Sequence, residues 1–140
     1  VPLAEEVRLQ RLYLDIEAVR FPERLRTQVD LPDALATACV PGLILQPLVE
    51  NAIKYGVSRV NRPVTIAIAA RRERDQVVLT VSDDGKGPTE GEEHGTGVGL
   101  ANVRDRLQAR FGPKAGLVTC APPEGGFVVT VTLPDVRGKC

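Results

Sequence analysis

Three short segments hold residue types at spacings that could do chemistry. The first is Glu50-Asn51-Ala52-Ile53-Lys54-Tyr55. Asn51 and Lys54 stand three apart, so on a helix they share one face, with Tyr55 beside them. An amide oxygen is a hard ligand suited to Mg²⁺, and an ammonium close by can meet a phosphate. Asn is a poor choice inside an apolar helical run, although a plain solvent-facing Asn-Lys pair needs no ligand. The second is Val81-Ser82-Asp83-Asp84-Gly85-Lys86-Gly87, where two adjacent carboxylates close an apolar strand and a Gly-x-Gly turn follows. A carboxylate there can accept a hydrogen bond from an exocyclic amine, and glycines let the backbone come close to a flat ring. Asp-Gly turns are also common without any ligand. The third is Gly95-Thr96-Gly97-Val98-Gly99-Leu100. A Gly-rich run entering a helix presents free N–H groups and the positive end of the helix dipole, which suits phosphate. No Gly-Lys-Ser/Thr follows, so it is not a Walker loop. No strand directly precedes it, as a dinucleotide fold would require.

The pattern of apolar residues predicts the elements that must position these groups. Leu3–Arg20 reads as a helix with Leu9, Leu12, Ile16 and Val19 in one narrow stripe, suited to a partner helix, and Pro22 ends it. Arg24–Leu31 alternates as a strand. A second helix, Pro41–Gly56, carries Asn51, Lys54 and Tyr55. Strands Val64–Ala70 and Gln76–Ser82, joined by the charged turn Arg71–Asp75, form a hairpin that delivers Asp83. Pro88–Gly97 is polar, Gly-rich and without period, and reads as a mobile loop. A third helix spans Val98–Phe111, followed by strands Leu117–Cys120 and Phe127–Leu133 with Gly125 and Gly126 turning before the last. Five strands with helices between them predict an α+β fold, a two-layer sandwich of a mixed sheet with helices on one face.

Composition narrows the function classes. The 140 residues suffice for one domain, and 43% of them are apolar, enough for a real core. Lys+Arg and Asp+Glu number 18 each. That balance argues against a nucleic-acid partner and against polybasic membrane attachment. The longest uncharged stretch, Ala34 to Val49, is interrupted by Pro41 and Pro47 and is too short to span a bilayer. No signal peptide is visible, and a chain opening on Val1 reads as a piece of something longer. Cys39, Cys120 and Cys140 form neither a metal-ligand pattern nor a disulfide framework, which fits a reducing compartment.

Taken together, and in this order, the three segments resemble the ATP-binding domain of histidine kinases, in the superfamily that also holds gyrase, the Hsp90 chaperones and MutL (GHKL). Asn51 with Lys54 matches its asparagine box, Asp83 to Gly87 its D-x-G-x-G box, and Gly95 to Leu100 its second glycine box. A narrower similarity, to LytS-type sensor histidine kinases, rests on several runs. They are Leu45-Gln46-Pro47-Leu48-Val49-Glu50-Asn51-Ala52-Ile53-Lys54, the stretch Gly97 to Leu107, Tyr13-Leu14 and Arg20-Phe21.

The resemblance implies a Bergerat-type ATP-binding fold with ATP and Mg²⁺ as cofactors. It implies that residues 1–22 end a dimerisation and phosphoacceptor helix region, that 23–136 are the catalytic domain, and that 137–140 are a tail. Asn51 would ligate Mg²⁺, and Lys54 and Tyr55 would lie near phosphates or ribose. Asp83 would receive the adenine amine above a floor of Gly85 and Gly87. Gly95, Thr96, Gly97, Val98, Gly99 and Leu100 would form the lid and phosphate cradle, with Asn102 at a phosphate. A last-strand threonine, Thr130 or Thr132, would complete the adenine site. Where ATP-hydrolysing relatives place a general-base Glu, four residues before the asparagine, this chain has Pro47. Glu50 points roughly 100° around the helix from Asn51. Both features favour phosphoryl transfer to a protein over hydrolysis. The only histidine, His94, lies in the lid and reads as a solvated loop residue, so the acceptor histidine would lie upstream. The implied protein is a bacterial homodimer with a response-regulator partner, its kinase domain cytoplasmic and its remainder in the inner membrane. The rivals are an anti-sigma-factor-type serine kinase and a degenerate, dimer-regulating nucleotide module.

Overall fold

The computed structural model describes residues 1–85 and 98–135. In chain order it contains α1 (Leu3–Arg20), β1 (Leu25–Asp30), α2 (Gln46–Ala52), β2 (Val64–Glu73), β3 (Gln76–Asp83), α3 (Val98–Phe111), β4 (Gly116–Cys120) and β5 (Phe127–Pro134). The five strands form one sheet in the order β1-β2-β3-β5-β4. β1 and β2 are parallel, because the segment carrying α2 crosses back between them. The other three pairings are antiparallel. This is the expected mixed sheet.

Strand alternation fixes the core face. Val64, Ile66 and Ile68 on β2, Val77, Leu79 and Val81 on β3, and Phe127, Val129, Val131 and Leu133 on β5 all turn inward. Against them pack Leu48, Val49 and Ala52 of α2, Leu100, Val103 and Leu107 of α3, and Leu3, Val7 and Leu14 of α1. The three helices therefore share one core on one face of the sheet. Each large aliphatic side chain buried this way contributes about 1.5–3 kcal/mol relative to exposure.

The structure departs from the expected elements in instructive places. The second helix begins at Gln46 and not at Pro41, because Pro47 has no N–H to donate back to Leu43 and belongs in a first turn. Residues 41–45 form a turn in which Leu43 has φ 59°. The hairpin strands run on to Glu73 and Gln76, which leaves a two-residue turn with Arg74 at φ 56°. Its charged end is held by Arg71–Glu73 and Arg72–Asp135 ion pairs. Cys120 is an exposed thiol.

On α1 the stripe singled out from sequence faces away from the core. Leu9 and Leu12 are exposed, Ile16 is 70% exposed and Val19 82%. The buried face is instead Leu3, Glu6, Val7, Gln10 and Leu14. Residues two apart on a helix lie 200° apart, so α1 carries two apolar stripes on nearly opposite sides. Among the described residues no helix is long and apolar enough to cross a membrane.

Candidate functional site

The site is built where α2, the end of β3 and the start of α3 converge. α2 does not stop at Ala52 but widens into a π turn, Ile53–Val57, which carries Lys54 and Tyr55. Such turns re-aim side chains and are frequent at functional sites. Asn51 is half-exposed and Lys54 exposed on this helix. The ammonium of Lys54 lies 5.1 Å from the Tyr55 ring centre and the Arg59 guanidinium 4.9 Å from it, so two cations flank one ring.

Asp83 sits at the far end of the same helix. Its neighbour Gly56 comes so close that a Cβ there would stand 2.6 Å from the Asp83 carboxyl carbon. Gly85 approaches the Gly56 backbone just as closely, and Gly126 would meet the Asp83 carbonyl at 2.4 Å. Only glycine fits at these three positions without something moving. Asp83 Oδ1 accepts the Gly85 N–H at 2.9 Å. The carboxylate is 7% exposed, and burial pushes its pKa up to about 6. The Asp84 charge adds to the rise, and the Gly85 hydrogen bond opposes it. The structure thus separates the two adjacent carboxylates. Asp84 Oδ1 accepts the Thr65 N–H at 2.8 Å and its carbonyl accepts from Arg62, so it pins the end of the β2–β3 pairing. Asp83 alone turns inward beside α2.

At the other end of α2, a Cβ on Gly99 would stand 3.8 Å from Pro47 Cβ. The first turn of α3 therefore abuts the first turn of α2. Val98, Gly99 and Leu100 open α3, and their N–H groups have no intrahelical acceptor. Asn102 is exposed one turn on. From Pro47 to Gly56 the helix rises roughly 13 Å. Asn51 lies on α2 between the start of α3 and the buried carboxylate of Asp83.

Two expectations are corrected. Thr130 pairs with Thr80, whereas the β5 partner of Asp83 is Phe127. Side chains alternate along a strand, so Phe127, Val129, Val131 and Leu133 share the face of Asp83, and Thr130 and Thr132 lie on the other side of the sheet. Neither threonine completes a site at Asp83; the residue beside it is the buried Phe127. The second correction is Leu100, whose side chain is 1% exposed within the core, so only its backbone is at the site. Gly87, His94, Gly95, Thr96 and Gly97 lie outside the described residues, as does the side chain of Val98. Sequence reasoning missed Gly56, taken as a helix stop, and Gly126, taken as a turn. It also missed Phe127. The alternation of β5 was the one signal that bore on it, since Phe127 has the parity of the inward-facing Val129, Val131 and Leu133.

Among the described residues no group of three or more His, Cys, Asp or Glu could hold a metal ion.

A profile of the family described as histidine kinase-, DNA gyrase B-, and HSP90-like ATPase matches residues 41–137. Sensor histidine kinase YesM of Bacillus subtilis (strain 168) is 37% identical over 138 residues, covering 96% of this chain and 24% of that protein. Sensor histidine kinase BtsS of Escherichia coli (strain K12) is 36% identical over 134 residues, with the same coverage. Sensor protein LytS of Staphylococcus haemolyticus is 32% identical over 128 residues, covering 84% of this chain and 22% of that protein. The chain spans about a quarter of the length of these curated relatives. Among solved structures, the histidine kinase domain of the Erythrobacter litoralis EL346 blue-light activated kinase superposes with a TM-score of 0.71 at 22% identity. That match covers 96% of this chain and 62% of that one. Acinetobacter baumannii histidine kinase AdeS gives 0.73 at 16%, covering 97% and 66%. At these identities the two structures speak for the fold.

Proposed function

Because the chain belongs to the histidine kinase-, DNA gyrase B- and HSP90-like ATPase family, we propose that it is the ATP-binding catalytic part of a bacterial sensor histidine kinase. It binds Mg²⁺–ATP along α2 and passes the γ-phosphoryl group to a histidine outside residues 1–140. A regulator aspartate receives it afterwards. The observation that carries this reading is the placement of Asn51 between the α3 start and the enclosed Asp83. Asp83 accepts the adenine amine, and the glycines at 56 and 85 let the ring approach the backbone. Asn51 holds Mg²⁺ and Lys54 lies along the phosphates; the ion offsets their charge. The free N–H groups of α3 hold the terminal oxygens, with Asn102 beside them.

In the transfer itself the bond from the terminal phosphorus to the bridging oxygen of ADP breaks as a bond to an imidazole nitrogen forms. Hydrolysis is disfavoured because no carboxylate is aimed at the phosphates from α2. Pro47 occupies its start, and Glu50 accepts a hydrogen bond from Gln46 at 3.0 Å. Residues 1–22 act as the end of a dimerisation region, supported by the exposed stripe on α1, and 23–136 as the catalytic domain. The longer protein is a homodimer held in the bacterial inner membrane with this domain in the cytoplasm.

Calorimetric titration with ATP and with GTP, in Mg²⁺, tests the site. The native chain binds ATP better than GTP, and Asp83→Asn loses about tenfold or more in ATP affinity with little change for GTP. Equal loss for both nucleotides would remove Asp83 from base recognition. Absence of any ATP binding by the native chain would overturn the assignment.

A further inference from the structure

Glu6 lies on the buried face of α1 with its carboxylate enclosed. Its Oε2 accepts the N–H of Leu43 at 3.0 Å, and its Oε1 accepts those of Ile44 at 2.9 Å and Leu45 at 3.4 Å. These donors stand at the entrance to α2, where no carbonyl of the same helix can reach them. Glu6 is thus a cap supplied by another element. One turn further along α1, the fully buried Gln10 donates Nε2–H to Gln46 Oε1 at 2.9 Å. Gln46 in turn donates to Glu50 Oε1, and Asn51 is the next residue. From the opposite side, Arg106 of α3 donates to the carbonyls of Gly42 at 2.7 Å and Leu43 at 3.4 Å. Leu43 holds φ 59°, a conformation leucine rarely adopts. It persists because two different helices grip its N–H and its carbonyl.

Core packing alone does not call for these polar groups. A leucine would fill the place of Gln10, whose Oε1 is buried without a hydrogen-bond partner. A buried amide kept with an unpaired oxygen costs stability, which points to position as its purpose.

We propose that Glu6 and Gln10 are positioning residues for Asn51. Through them α1 sets where α2 begins and how it is turned, so a displacement of α1 reaches the metal-binding face. The opposite side of α1 carries the exposed stripe, so whatever holds that stripe acts on Asn51 through this network. The proposal rests on the reading of Asn51 as the Mg²⁺ ligand.

Gln10→Leu is the informative variant, since it removes the buried amide without opening a cavity. ATP affinity is measured by calorimetry with and without Mg²⁺ for the native chain, Gln10→Leu, Glu6→Gln, Asn51→Ala and the Gln10→Leu/Asn51→Ala double variant. Gln10→Leu weakens Mg²⁺–ATP binding about three- to tenfold, leaves Mg²⁺-free binding unchanged, and unfolds at the native temperature or above. Added to Asn51→Ala it causes no further loss, because both act at one place. Native affinity in Gln10→Leu, or a loss that adds to that of Asn51→Ala, overturns the coupling. A Glu6→Gln variant that folds loses affinity in the same way; if it does not fold, Gln10→Leu decides. If Asn51→Ala keeps its full Mg²⁺ dependence, the metal-ligand reading falls and the coupling with it. If Asn51→Ala loses that dependence and Gln10→Leu does not, the coupling alone falls.

Discussion

Asp83 is a carboxylate enclosed by glycine backbone, and water is taken from it faster than hydrogen bonds replace it. It accepts the Gly85 N–H, yet burial, helped by the Asp84 charge, lifts its pKa from near 3.8 to about 6. The folded chain therefore holds this proton more tightly than the unfolded chain does. Its advantage is complete below about pH 4 and is lost as pH rises through about 6. At pH 7 the folded state carries an ionised carboxylate it would sooner protonate. Asp83→Asn removes that burden, so the variant is more stable than the native chain at pH 7, by about 1–2 kcal/mol. The gap narrows as pH falls from 7 to 4. Thermal unfolding of both proteins across that range measures it, and a gap that ignores pH would mean the carboxyl titrates normally. Recognition runs the other way, because an amine donor favours the ionised carboxylate. On the proposed reading, Asp83 lowers the stability of the empty fold in return for a base contact.

α1 shows how a single element can serve two surfaces. Leu3, Val7, Gln10 and Leu14 face the core, while Leu9, Leu12, Ile16 and Val19 face outward. The sequence made the outward stripe legible, because its spacing of three and four is the seam of a helix pair. The inward one was harder to read, since Glu6 and Gln10 interrupt it with polar groups that only the turn at residues 43–45 explains. The strands were legible from their alternation, but which residues face each other across the sheet was not. That is why Thr130 was placed at a site that Phe127 borders. The seats of Asn51 on α2 and of Asp83 at the end of β3 were readable, because short spacing within one element decides them. The close approach of Gly56 to Asp83 depends on a contact 27 residues apart in sequence and left no local mark. If the outward stripe binds a partner helix, Ile16→Lys with Val19→Lys leaves the unfolding temperature of this chain within about 2 °C of native. The same pair of changes converts the full-length protein from dimer to monomer in sedimentation. A dimer that survives them would place the interface elsewhere.

One core joins all three helices to the sheet, and the candidate site lies on the same helices. A nucleotide bound there touches the ends of α2, β3 and the start of α3 at once. Its binding energy is then linked to unfolding of the whole molecule and not to one loop, and a domain of this size with a single core unfolds as a unit. At a free Mg²⁺–ATP concentration 100 times the dissociation constant, linkage adds about 2.7 kcal/mol. For 140 residues that moves the midpoint upward by roughly 10 °C. The shift depends on both parts of the site. Removing Mg²⁺ lowers it by withdrawing the Asn51 contribution, and GTP gives less because it offers Asp83 no amine where adenine does. Calorimetric melting in the four conditions, each nucleotide with and without Mg²⁺, measures this directly. A single transition that moves as a whole is the expected result. Two transitions, with only the minor one responding, would mean the ligand engages a local segment and not the α2–β3–α3 junction.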